Sequence, residues 1–203
     1  MLDRYRDNVD WLFARVARHM SVQPHVLTAL SLLFATVAGV ALYYSFWHLE
    51  LLVVGALAVL ANGFLDGLDG KVARMQGVAS LKGDFIDHAV DRFSDVLMVG
   101  GVAASPWCPP MVGLGALAGM LLTSYMGTQA QAVGYGREYG GWLGRADRVV
   151  ILTLAPLVQY MLAATDITLL SWPLLAWVMA FFAVAGIITA GQRFLAVLHW
   201  FNA

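Results

Sequence analysis

The chain has 203 residues, of which 60% are hydrophobic and only 12% charged, with a formal net charge of −1. With a mean hydropathy of +0.72 and a charged share about half that of a soluble domain, an ordinary water-soluble fold is excluded. One polytopic, all-α integral membrane domain spanning 1–203 is expected, with no nucleic acid among its partners.

In chain order, residues 1–22 form an N-terminal interfacial amphipathic helix and 23–203 a six-helix transmembrane core. Leu2, Val9, Trp11, Leu12, Phe13, Val16 and Met20 alternate with Arg and Asp at near-helical spacing, the pattern of a helix lying in the headgroup layer. The segment lacks the short apolar core of a cleavable signal peptide. Six spans of roughly 20 residues are expected at Val26–Trp47, Leu51 into the region of Asp66, Asp84–Ala104, Pro110–Val133, Trp142–Ala164 and Leu169–Leu198. Turn signals separate them: His48 to Glu50, Gly77 to Gly83, Ser105 to Pro110, Gly134 to Gly141, and Asp166.

Basic residues collect on alternate connections. Arg4, Arg6, Arg15 and Arg18 precede the first span. Lys71, Arg74 and Lys82 lie between the second and third, and Arg137, Arg145 and Arg148 around the start of the fifth. The other connections carry neither Lys nor Arg. This asymmetry places both termini on the cytoplasmic side of the cell membrane. Trp107, Trp142, Trp172 and Trp200 fit interfacial belts, and Cys108 a lipid-facing or loop thiol, too few for an intrachain disulfide. Met111, Met120, Met126, Met161 and Met179 read as packing residues.

Charge returns abruptly within this apolar pattern. Asp66 and Asp69 are three apart and Asp87 and Asp91 four apart, so each pair shares a helix face, and Asp84 and Asp95 extend the second stripe. A charge at a helix centre in a bilayer costs roughly 2.5–3.5 kcal/mol on insertion scales. Four anions gathered from two neighbouring helices repel one another unless a cation joins them. Oxygen ligands with room for water and phosphate suit Mg²⁺, with Mn²⁺ able to replace it, and no Cys/His set supports zinc. Gly67, Gly70 and Gly83 allow a ligand or a facing helix to approach closely. Arg74, one turn after Gly70, offers a planar fork to a phosphate. Structural salt bridges at a helix end are a poorer account of so regularly spaced a set.

The run from Asp66 to Asp91 resembles the CDP-alcohol phosphotransferase family, whose signature D-x2-D-G-x2-A-R-x8-G-x3-D-x3-D is matched by Asp66, Asp69, Gly70, Ala73, Arg74, Gly83, Asp87 and Asp91. The resemblance implies six transmembrane helices around a cytoplasm-facing polar cavity, usually in a homodimer. It implies two Mg²⁺ held by Asp66, Asp69, Asp87 and Asp91, with Asp91 also the general base. It implies CDP-lipid contacts from Thr28, Asp69, Gly70, Arg74 and Ser80. In the family's Pro-Asn-x-x-Thr stretch, here Pro24 to Thr28, His25 replaces the usual Asn. The implied reaction moves the phosphatidyl-type group of a CDP-linked lipid, diacylglycerol or archaeol phosphate, onto an alcohol hydroxyl and releases CMP.

The acceptor is read from further along. Gly140-Gly141-Trp142-Leu143-Gly144-Arg145-Ala146-Asp147-Arg148 and Gln192-Arg193 resemble segments of phosphatidylinositol-phosphate synthases and their archaeal ether-lipid counterparts. This implies that Arg145, Arg148 and Arg193 bind the phosphate of a phosphorylated polyol such as inositol phosphate. Those synthases carry Lys and Arg where this chain has Gly127 and Gln129, which lowers the positive charge expected of the pocket. Glycerol phosphate and serine are the alternative acceptors. A cation transporter would explain the acids but not Gly70, Arg74 and Ser80 beside them. A membrane prenyltransferase is opposed by the tight D-x2-D-G-x2-A-R run, and a silent scaffold by the complete set of four Asp. His88, beside Asp87 but off the face of Asp91, reads as structural.

Overall fold

Seven helices follow the turn signals closely in the computed structural model, which describes residues 6–18, 20–165 and 171–202. They are α1 (Arg6–Ala17), α2 (Pro24–Tyr44), α3 (Leu51–Met75), α4 (Leu81–Ala104), α5 (Pro110–Ala132), α6 (Arg145–Ala164) and α7 (Leu174–Phe201). The first five residues of the expected interfacial segment, His19, the Asp166 turn and the expected start of the last span at Leu169 lie outside the described residues, as does Ala203.

Local chemistry sets the helix ends. Pro24 and Pro110 stand in the first turns of α2 and α5, where a missing N–H costs nothing. Ser80 is extended and caps α4, its Oγ accepting the Gly83 N–H at 3.1 Å. Asp147 accepts the Gly144 N–H at 2.9 Å and closes the first turn of α6. Gly77, with φ of +68°, ends α3 as side-chain-bearing residues rarely can.

α2, α3, α5, α6 and α7 are each long and apolar enough to cross a membrane. α4 has 24 residues, about 36 Å of helix, but carries Asp84, Asp87, Asp91, Arg92 and Asp95 along its N-terminal two thirds. α2 packs on both α3 and α4, α5 lies along α7, and α6 lies against α3, whereas α3 and α4 scarcely touch. Small residues permit the tightest crossings. A Cβ on Gly101 of α4 would collide with the Gly39 carbonyl of α2. One on Gly119 of α5 would lie 2.9 Å from the Ala183 carbonyl of α7. Such backbone-to-backbone contact is how helices associate in lipid, where hydrophobic burial offers no drive.

The apolar core joins all six long helices, with Leu42, Leu52, Val59, Met98, Met120, Leu152, Met179 and Phe182 buried within it. α1 docks separately. Phe13 stacks on Phe64 at 5.6 Å and covers Gly67, where a Cβ would meet its ring at 2.9 Å, and Ala17 is buried with Leu27, Leu68 and Val72. The close approach expected at Gly67 is therefore made by α1.

Two expectations are corrected here. Trp107 is not interfacial: it is buried under the Pro-rich α4–α5 turn, and its Nε1 donates to Ser45 Oγ at 2.9 Å. That partner removes the indole's reason to seek a headgroup. Cys108, in the same turn and buried with it, is the expected loop thiol. Of the methionines, Met120 and Met179 pack in the core, but Met111 and Met161 are exposed.

Gly101→Leu must push α4 off α2, so it is expected to lower the midpoint of thermal unfolding in detergent by several degrees. Gly100→Leu is expected to leave it nearly unchanged, because a Cβ there meets nothing within 4 Å. Equal effects in a fluorescence melt would contradict this packing.

Candidate active site

Since α3 and α4 scarcely touch, their acidic faces project into the space between them. Asp66, Asp87 and Asp91 each present a carboxylate oxygen there, all within 4.8 Å of one another, a spacing at which three ligands could hold one metal ion. The donor set suits a hard cation. Oδ1 of Asp87 and of Asp91 are both buried without a hydrogen-bond partner, the condition that a metal relieves.

Asp69 does not join this trio. Three residues of helix turn it about 60° from Asp66 and toward α2. There its Oδ2 accepts the Thr28 hydroxyl at 2.6 Å, with both residues buried. Thr28 and Asp69, both named from sequence, thus form one unit. Gly70 and Arg74 are next to one another as the spacing requires, a Cβ on Gly70 coming within 3.4 Å of Arg74 Nη1. Arg74 and Ser80 are exposed, as is His25 at the start of α2.

The basic residues come from more distant parts of the chain. Arg145, in the first turn of α6, grips Asp66: its Nη1 contacts Oδ2 closely and its Nη2 donates to Oδ1 at 2.7 Å. The same Nη1 lies 2.6 Å from Asp91 Oδ1, an ion contact without hydrogen-bond alignment. The loop before α6 places this side chain. Gly141 runs with φ of +117° against Thr189 of α7, whose Oγ1 accepts the N–H groups of Trp142 and Leu143 at 3.1 and 3.0 Å.

Arg148 lies one turn deeper, 2% exposed, with Nη2 donating to Asp95 Oδ2 at 2.8 Å. A phosphate reaching it would have to compete with Asp95. Arg193 is also buried, giving Nε to the Gly140 carbonyl at 2.9 Å and Nη1 to that of Thr123 at 2.8 Å. The glycine at 127 now has a steric reason, because a Cβ there would stand 2.9 Å from Arg193 Nη1 and 3.0 Å from the Glu138 carbonyl. Gln129 is exposed.

Two neighbours, Arg92 and Asn62, escaped the sequence reading, and a third, Arg137, entered it only as a sign of orientation. Arg92 lies 3.1 Å from Asp95 and 3.5 Å from Asp91, and its guanidinium contacts the Ser124 hydroxyl of α5. It follows Asp91 directly and so falls off the i, i+4 stripe that marked the acids. Asn62, one turn before Asp66, donates to the Ser31 carbonyl at 2.8 Å and lies 3.4 Å from Ser94 Oγ, joining α2, α3 and α4 beneath the acids. Its position four residues before Asp66 is the signal that could have found it. Arg137 contacts His88, which lies 3.2 Å from Asp84 and 3.8 Å from Asp87, so His88 belongs to a half-buried ion group at the edge of the trio.

Removing one partner of a buried ion pair typically costs about 3–5 kcal/mol, because the other is left uncompensated. Arg148→Ala is therefore expected to destabilise the protein by about that amount in mixed-micelle unfolding. Asp84→Asn, at an exposed position, should stay within about 0.5 kcal/mol. Equal stability of the two variants would show that Arg148 and Asp95 are not an essential pair.

The family model described as CDP-alcohol phosphatidyltransferase matches residues 21–189. The archaetidylinositol phosphate synthase of Methanothermobacter thermautotrophicus is 30% identical over 162 residues, 80% of each chain. The phosphatidylinositol phosphate synthase of Mycobacterium marinum is 29% identical over 191 residues, 91% of this chain and 77% of that one. Among solved structures, the phosphatidylinositol phosphate synthase of Mycobacterium tuberculosis with CDP-DAG bound superposes with a TM-score of 0.71 at 26% identity, covering 91% of this chain and 92% of that one. Its complex with manganese and citrate gives 0.70 at 28% identity, with 91% and 87% covered.

Proposed function

This chain belongs to the CDP-alcohol phosphatidyltransferase family, and from that premise we propose that it joins the lipid phosphate of a CDP-linked lipid to a phosphorylated polyol, inositol phosphate first, with release of CMP. It is a membrane transferase of phospholipid biosynthesis. The observation that carries the finer reading is the meeting of three carboxylates from two helices with a guanidinium from a third. Inositol phosphate is favoured because the relatives on both the archaeal and the bacterial side are inositol phosphate synthases. Glycerol phosphate and serine are the competing acceptors.

Asp66, Asp69, Asp87 and Asp91 are assigned to two Mg²⁺ ions, for which Mn²⁺ can substitute. The related synthase complexed with manganese supports divalent metal binding here. When bound, such ions neutralise a diphosphate and the charge that develops on departing CMP. The chain's own groups do the rest. Thr28, Asp69, Gly70, Arg74 and Ser80 are assigned to the CDP moiety, with exposed Arg74 and Ser80 offering a guanidinium and a hydroxyl and Thr28 acting through Asp69. The related synthase with CDP-DAG bound supports such a donor. Asp91, the most buried of the trio, takes the proton of the acceptor hydroxyl as that oxygen attacks the lipid phosphorus in line with CMP. Arg145 and Arg193 neutralise the acceptor phosphate. Arg148 supports them from behind through Asp95.

The same reading supplies a sixth crossing. α4 is long enough to span the roughly 30 Å hydrocarbon layer, and Arg92 and Asp95, the charges furthest along it, pair within the protein. Residues 23–203 then form one six-helix domain of the cell membrane, its polar cavity open to the cytoplasm and both termini on that side, in a homodimer. α1, with Phe13 turned to α3 and Trp11 63% exposed, lies at the interface.

Asp91→Asn should lower CMP release by at least about a thousandfold. Retained turnover would remove Asp91 as the base. Among acceptors offered to purified protein with CDP-lipid and Mg²⁺, inositol phosphate should give the fastest CMP release. Preference for glycerol phosphate or serine would reassign the acceptor. Arg193→Ala should raise KM for the phosphorylated acceptor at least about tenfold over any change for CDP-lipid, and equal changes would take Arg193 out of the acceptor pocket.

A further inference from the structure

Arg145 stands where two functions overlap. It reaches from α6 to carboxylates on two different helices, its Nη1 against Asp66 Oδ2 and 2.6 Å from Asp91 Oδ1. Asp66 and Asp91 also belong to the trio whose oxygens converge within 4.8 Å. A divalent ion of the magnesium class needs oxygens at about 2.0–2.1 Å. A guanidinium nitrogen in contact with both carboxylates fills that same space, so the two cations exclude one another.

The guanidinium is also an imperfect partner. Its planar fork satisfies Asp66 through both oxygens, but it cannot align with a second carboxylate at another angle. Asp91 Oδ1, Asp87 Oδ1 and Arg145 Nε are buried without hydrogen-bond partners. A spherical cation has no such directional restriction and can be approached by all three carboxylates. Arg145 retains an alternative, since its side chain is 24% exposed, whereas Arg148 one turn deeper is 3% exposed.

We propose that Arg145 is an exchangeable internal counter-ion: it yields the oxygens of Asp66 and Asp91 to a divalent cation, and only then is its guanidinium free to take an acceptor phosphate. This rests on the assignment of those aspartates to metal binding. It adds an order of events, metal before acceptor, and a coupling between the two sites. The cation's affinity is set partly by how tightly Arg145 holds the carboxylates, and a phosphate that captures released Arg145 returns the same free energy to the cation.

The test is Mn²⁺ binding to the purified full-length chain, read from the electron paramagnetic resonance of free Mn²⁺. Arg145→Gln should bind Mn²⁺ about tenfold more tightly than the unaltered protein. Arg92→Gln removes an equal charge 3.5 Å from Asp91 without vacating the space between Asp91 and Asp66, so it should tighten binding much less. In ¹⁵N-arginine-labelled protein, the Arg145 guanidinium resonance, assigned by its loss in Arg145→Lys, should move on Mg²⁺ titration. Equal tightening in Arg145→Gln and Arg92→Gln would reduce the effect to charge removal and overturn the exchange. So would an unchanged Mn²⁺ affinity in Arg145→Gln, or an Arg145 resonance indifferent to Mg²⁺. If Mn²⁺ binds the unaltered chain and Arg145→Gln alike but not Asp66→Asn, the exchange fails while the metal site stands. Absence of Mn²⁺ binding in every variant would remove both.

Discussion

Carboxylates that meet inside a bundle of apolar helices must be answered by positive charge or hydrogen bonds, because an isolated ion in a low-dielectric interior is costly by several kcal/mol even after relaxation. The polar interior of this chain follows from that requirement. Asp66 and Asp91 are answered by Arg145, Asp95 by Arg148 and Arg92, and Asp69 by Thr28. These contacts tie α6 to both α3 and α4, and α2 to α3. Arg145 thereby bridges the two acidic helices, which scarcely touch directly. What the ion pairs leave unmet is confined to a few atoms, among them Oδ1 of Asp87 and Asp91, and these lie at the centre of the proposed chemistry.

The arrangement sorts by depth. Outermost are Arg74 and Ser80, both exposed, with Arg74 beside Gly70. In the middle, the trio and Arg145 share the space between α3 and α4. Beneath them, Arg148, Asp95, Ser94, Asn62 and Ser31 form a fully buried polar layer. In this layer Arg148 pairs with Asp95, and Asn62 joins α2, α3 and α4. Rigidity there permits precision in the middle, where the phosphate-transfer reading requires reacting groups within about 3–3.5 Å of one another.

Much of this was legible from residue spacing. The turn signals set the ends of α2 to α6 within about three residues, because Pro and Gly act locally. The i, i+4 relation of Asp87 and Asp91 placed them together, and the family resemblance, drawn from eight fixed positions, agrees with the matching family model. Contacts made across long sequence separations were not legible. Arg145 meets Asp66 over 79 residues, and nothing near either announces the other. Asp69 shares a broad face with Asp66 yet turns to Thr28, since 60° of helix rotation is enough to change neighbours. Trp107 has the sequence context of a headgroup anchor but is buried because Ser45, 62 residues away, supplies its partner. Gly127 reads as a lost positive charge, whereas in the fold it is the space that Arg193 occupies.

The central claim is that a divalent cation held between α3 and α4 grips the diphosphate of a CDP-linked lipid. Electron–nuclear double resonance on Mn²⁺-loaded protein mixed with CDP-diacylglycerol tests it most directly, since a phosphate bound to manganese transfers spin density to its phosphorus. The account predicts a strong ³¹P hyperfine coupling that disappears in Asp87→Asn. Tight binding of the lipid nucleotide with no ³¹P coupling, or with a coupling that survives the loss of Asp87, would contradict it.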